Sequence, residues 1–121
     1  MSGFRELEIF QLAFDLAVRV HLLSLELPSF EKYETGNQVR RSSKSIYAQI
    51  AEGYGRKAYK QDFVKYVTYA QASGDETISH IMIIVKLYPD QPSWQQLLEE
   101  YQTLGKRINK YIQYVEKEWK T

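Results

Sequence analysis

Cysteine is absent from this chain, so neither a disulfide framework nor a thiolate metal site can form, and a reducing cytoplasm suits it. Proline occurs three times and glycine six times, several of them at the apparent ends of periodic segments, which leaves long stretches free for helix. No alternating run of β-branched residues is flanked by hairpin turn pairs, which removes a sheet-based fold. No run of about 18 apolar residues exists to cross a bilayer. The first residues, Met1 to Glu6, include an acid and no apolar stretch before a small-residue cleavage site, so the expectation is a soluble, cytoplasmic protein. Only two histidines are present, His21 and His80, which thins the supply of metal ligands and of acid–base groups.

What remains is one helical domain over residues 1–121, since the 121 residues leave no room for a second and the 44% hydrophobic content suffices for a core. Apolar spacing predicts helices over about 4–26, 37–54, 60–87 and 93–118, in an antiparallel up-down four-helix bundle. The first helix carries two apolar series, Leu7, Phe10, Phe14, Ala17, His21 and Ile9, Leu12, Leu16, Val20, Leu23. That arc exceeds the roughly 100° a helix needs to meet one core, so its second face points to contact between subunits. Phe30 and Tyr33 are expected to cap the bundle end, Thr35 or Asn37 to cap the second helix, and Ser93 or Asp90 the fourth. Gly53 and Gly55 are expected to end the second helix, and Gly74 to mark a close helix crossing.

Charge is unevenly distributed. Between Gln38 and Tyr66, seven basic residues stand against two acidic ones, giving +5, and the rest of the chain carries −4. Arg40, Arg41, Lys44, Arg56, Lys57 and Lys60 are interleaved with Tyr47, Tyr54, Tyr59 and Tyr66. Cations neutralise phosphates and tyrosine rings stack on unpaired bases, so RNA or single-stranded DNA is the candidate ligand. A solvated helix flank with half-buried tyrosines is the plainer alternative.

Catalytic and metal readings find less support. Glu76 and His80, four apart with Asp75 adjacent, lack the Glu-x-x-His pairs and the further inward acids of a di-iron bundle. Gly53-x-Gly55 has no preceding strand and no third glycine, so it is no phosphate loop. The serines have no neighbouring base, and Glu52 is expected to pair with Arg40, Arg41 or Arg56 and to hold its helix. No enzyme activity, metal or cofactor is expected.

The pattern Gln38-x-Arg40-Arg41, Ser45-Ile46 and Ile50-Ala51-Glu52-Gly53-x-Gly55-Arg56 resembles the signature of the four-helix-bundle protein family, also called the 23S rRNA intervening-sequence protein family. Leu27-Pro28, Glu31-x-Tyr33, Phe63, Ala70-x-Ala72-Ser73 and Glu76 extend the resemblance along nearly the whole chain. Tyr47, Gln49 and Ala72 depart from the usual proline, asparagine and glycine. The resemblance implies a bacterial homopentamer arranged as a barrel around a central channel. It also implies kinship with accessory proteins of diversity-generating retroelements, which bind a reverse transcriptase and nucleic acid through basic surfaces. Two readings follow: a ring that binds nucleic acid, or a scaffold whose basic motif residues make intersubunit salt bridges.

Overall fold

A computed structural model describes residues 3–120 of the chain. Among the described residues there is no strand. Four long helices, α1 (Glu8–Ser24), α3 (Thr35–Gly55), α4 (Lys60–Leu87) and α5 (Pro92–Glu118), are joined by a single-turn helix, α2 (Ser29–Lys32), and short turns. Packing contacts join α1 to α3, α3 to α4, α4 to α5 and α5 back to α1, so each long helix has two long neighbours. At the centre lie Leu16, Val20, Ile46, Ile50, Phe63, Ile81, Trp94, Leu97, Tyr101, Leu104 and Ile108, all buried. These residues recur at three- and four-residue steps, the period that places one face of each helix inward.

The helix ends differ from expectation for local reasons. The first helix starts at Glu8 and not near Phe4, because residues Phe4–Glu6 form a 3₁₀ turn and Leu7 is extended. Phe4 folds back edge-on to the Phe10 ring at 4.9 Å, and Gln11 Nε2 donates to the Arg5 carbonyl at 2.9 Å. The third starts at Thr35, preceded by Glu34, without a side-chain cap: the Thr35 hydroxyl donates to the Glu31 carboxylate and Asn37 donates to the Tyr33 carbonyl. Gln91, not Ser93 or Asp90, precedes the last helix, whose first turn holds Pro92, a residue with no N–H to leave unsatisfied. Phe30 and Tyr33 do not cap the bundle. Each is 68% exposed, because α2 lies across the end with its buried side chain, Glu31, turned inward.

Small residues set the approach of α3 to α4. The Thr77 hydroxyl lies 2.8 Å from Ser42 Oγ and 2.8 Å from the Ser73 carbonyl, and the Ser45 and Ser73 hydroxyls are 3.0 Å apart. A Cβ at Gly53 would stand 3.1 Å from Tyr66 Cβ and 3.4 Å from the Phe63 carbonyl, so this glycine serves close packing inside the helix. Gly55 is the last helical residue, and neither glycine adopts the left-handed conformation of a helix-ending glycine. At Gly74 a Cβ would meet only Ile46 Cδ1, at an ordinary 3.9 Å, so the tight crossing lies elsewhere along the helix.

Candidate nucleic-acid interface

Helix α3 carries the basic segment, and its length divides the candidate residues into two groups. Arg40 and Arg56 are 16 positions apart, about 24 Å along the axis at 1.5 Å per residue. No single ligand-sized site gathers both.

Near its start, Arg40 is half-buried and makes three hydrogen bonds within the chain. Its guanidinium donates to Ser24 Oγ at 2.7 Å, to the Lys32 carbonyl at 2.8 Å and to Asn37 Oδ1 at 2.6 Å. One side chain thereby ties the end of α1, the α2 turn and the start of α3. Gly36 makes the passage possible, since a Cβ there would lie 3.0 Å from Arg40 Nη1 and 3.2 Å from the Glu31 carbonyl. Beside it the buried Glu31 carboxylate accepts from Thr35 and from the Tyr88 hydroxyl at 3.2 Å, which adds the end of α4 to the network. Burial, then the neighbouring Glu31 charge, raises the Tyr88 hydroxyl above the usual tyrosine value of 10.0. Arg41 and Gln38 are exposed. Lys44 Nζ sits 3.0 Å from His21 Nδ1 on α1.

At the far end, Arg56 donates to Glu52 at 3.1 Å, lies 3.6 Å from Asp62 and stacks over the Tyr66 ring at 4.7 Å. Its pKa is raised, first by the Glu52 hydrogen bond and then by Tyr66. Glu52 therefore pairs with Arg56 rather than with Arg40 or Arg41. The chain leaves α3 through turns in which Arg56, Lys57 and Tyr59 donate to the Gly53, Tyr54 and Arg56 carbonyls. Below these turns Phe63, Trp119, Tyr54 and Tyr111 pack edge to face, and Trp119 Nε1 donates to the Lys57 carbonyl at 2.9 Å. That aromatic floor holds the tip in place. Lys57 Nζ lies 3.9 Å over the Tyr54 ring, Tyr66 and Tyr69 meet at 5.5 Å, and Tyr59, between Lys57 and Lys60, is 71% exposed.

The sequence model of the family described as 23S rRNA-intervening sequence protein matches residues 5–110. The chain belongs to that family. Neither the curated proteins nor the solved structures contain a significant match. The motif residues divide by their contacts: Arg40, Glu52 and Arg56 make polar contacts within the chain and Gly53 is packed, whereas Gln38, Arg41 and Gly55 face solvent.

Two features were not legible from charge and motif. The first is the Glu31–Thr35–Tyr88 contact; the four-residue Glu31 to Thr35 step was its only local trace. The second is the make-up of a stripe along α1 and the residue that follows it, Phe14, Val18, Leu22 and Leu25, exposed by 43%, 46%, 59% and 45%. A second apolar face was expected on this helix, but of these four residues Phe14 alone stood in the expected series. Phe14, Val18, His21, Leu22, Lys44 and Tyr47 line a cleft of about 210 Å³ between α1 and α3. The surface pair Glu76–His80, at 3.3 Å, has no third metal-ligating group beside it among the described residues.

Proposed function

We propose that this protein is a non-enzymatic homo-oligomer of antiparallel up-down four-helix bundles that binds RNA or single-stranded DNA at the α3–α4 tip. The antiparallel arrangement is supported by contacts that descend on one helix as they ascend on its neighbour, Ser42 with Thr77 and Ser45 with Ser73, or Glu8 with Arg107 and Arg19 with Glu100. Association is supported by the α1 stripe, a contiguous apolar surface that water disfavours. A ring of five is what the family resemblance implies. Repetition around a ring would multiply the field of each tip.

The observation that carries the ligand reading is Tyr59, 71% exposed and placed between Lys57 and Lys60 where the chain passes from α3 to α4. A stacking ring flanked by cations is the elementary unit of sequence-tolerant single-strand binding. The test is fluorescence anisotropy with labelled oligouridine and oligothymidine across a salt series. Tyr59→Ala is expected to weaken binding about tenfold with the salt slope unchanged, and Lys60→Ala to reduce the slope by about one. A slope near zero between low and physiological salt removes the proposal.

A scaffold reading is favoured by the internal engagement of Arg40 and Arg56. In it Arg41, exposed on α3, reaches an acid on a neighbouring subunit. Arg41→Ala would then lower the sedimentation coefficient; in the nucleic-acid reading the assembly persists.

A further inference from the structure

The groove between α4 and α5 lies apart from both the α1 stripe and the basic tip. It is a shallow, open depression of about 790 Å³, lined by side chains of a different chemistry. Gln102, Asn109 and Gln113 stand along the α5 rim and Gln71 along the α4 rim, so primary amides, each both donor and acceptor, border its length. Gln71 Nε2 donates to the Gly105 carbonyl at 3.4 Å, and Gln113 donates to Asn109 Oδ1 at 2.8 Å, which leaves the Asn109 NH₂ and the remaining amide oxygens directed to new partners.

Gly105 is the second observation. It lies in the interior of α5, where glycine costs about 1 kcal/mol relative to alanine. No packing requires it, because a Cβ built there meets nothing within 4 Å. What the missing side chain creates is a notch in the groove wall, where an incoming backbone can approach the helix. Lys106 and Lys110 follow the notch on α5, one turn apart, and among the described residues neither is ion-paired.

We propose that this groove binds an extended, acidic peptide segment of a partner protein. From Lys106 to Lys110 the helix rises about 6 Å, close to the roughly 6.8 Å between same-side residues of an extended chain, so alternate side chains of such a peptide can meet the two lysines. Lys106 and Lys110 take carboxylates that alternate outward on the α5 side. Asp75, on the opposite rim, disfavours acids there and fixes the direction in which the side chains face. An amphipathic helix fits poorly, since Ile78 is the one large apolar residue of the lining. A single-stranded nucleic acid lacks a platform, as none of the lining residues is aromatic.

The probe is a fluorescein-labelled peptide of about ten residues alternating glutamate and threonine, measured by anisotropy against the intact protein at low salt. Saturable binding is expected, at least tenfold weaker for the glutamine–threonine peptide, for a backbone N-methylated version and for the Lys106→Ala, Lys110→Ala double variant. Gly105→Gln fills the notch with a better helix former, so it is expected to abolish binding while the melting temperature holds or rises. Absence of saturable binding up to about 1 mM peptide overturns the proposal. So does affinity indifferent to Gly105→Gln, or a groove that loses oligouridine rather than the peptide when the notch is filled. The tip proposal is unaffected by any of these results, because its variants lie at Tyr59 and Lys60.

Discussion

Replacing Arg40 with alanine removes a clamp, and the size of the loss follows from its three acceptors. The bonds to Ser24 Oγ and to the Lys32 carbonyl are partly buried, and the bond to Asn37 is exposed. A hydrogen bond from a charged donor contributes about 1.5–3 kcal/mol when shielded and much less in solvent, so the low end for the first two gives about 3 kcal/mol in total. For a domain of this size each kcal/mol shifts the melting temperature by about 4 °C, so Arg40→Ala should melt about 12 °C below the parent protein. Differential scanning calorimetry with matched denaturant titrations reads both quantities.

Two companions sharpen the outcome. Arg40→Lys retains the charge but presents a point donor in place of a fork, and is expected to recover about a third of the loss. Arg41→Ala, one position on and exposed, is expected to change stability by less than about 0.5 kcal/mol. A melting temperature for Arg40→Ala within about 3 °C of the parent, joined to a fall in nucleic-acid affinity, would refute the clamp and make Arg40 a ligand-binding residue.

Glycine to alanine changes should have opposite signs at two positions: Gly53→Ala destabilises by about 1 kcal/mol because its Cβ would crowd Tyr66 Cβ at 3.1 Å and the Phe63 carbonyl at 3.4 Å, and Gly105→Ala stabilises by about 1 kcal/mol, both read by thermal melts. Among the described residues the buried Tyr101 hydroxyl has no hydrogen-bond partner, so Tyr101→Phe should raise stability by up to about 1 kcal/mol, and a clear loss in urea titration would reveal a bond to Ser43. Burial raises the hydroxyls of Tyr101 and Tyr88 above 10.0 and pushes Tyr111 up to about 12. A neutral form favoured by folding gives stability that is present below about pH 10 and lost as the pH climbs toward 12; denaturant melts with tyrosinate absorbance should show this, with a shallower decline for Tyr111→Phe.

The periodicity of the sequence was enough to find four helices because each buries one face at steps of three and four, and that signal is local. Even there neighbouring apolar positions were hard to tell apart: in α5 Ile112 is buried and Tyr111 only half-buried, and in α4 Ile84 is buried and Val85 only half-buried. Helix starts were less legible. Thr35 and Asn37 are sound capping residues by type, yet their side chains find Glu31 and the Tyr33 carbonyl, partners four residues back that a cap search does not weigh. Arginine roles were the least legible, since Arg40 and Arg41 are identical to any count of charge. Only the position of Ser24 and Lys32, brought alongside Arg40 by a turn, distinguishes a clamp from a free cation.

Lys44 belongs with neither group, and its position yields a last expectation. An ammonium can only donate, so in the 3.0 Å contact with His21 the ring Nδ1 accepts. That contact holds Lys44 along the cleft formed by Phe14, Val18 and Leu22, beside the stripe through which copies are proposed to meet. A second subunit seated there would cover Lys44 and leave the tip open, so the lysine would lie at the joint between subunits and not in the ligand surface. Lys44→Ala should therefore shift the sedimentation coefficient at micromolar concentration while leaving the salt slope for oligouridine as it was. If the slope falls by about one and the assembly is unchanged, Lys44 contacts phosphate, and the stripe on α1 is not where the copies join.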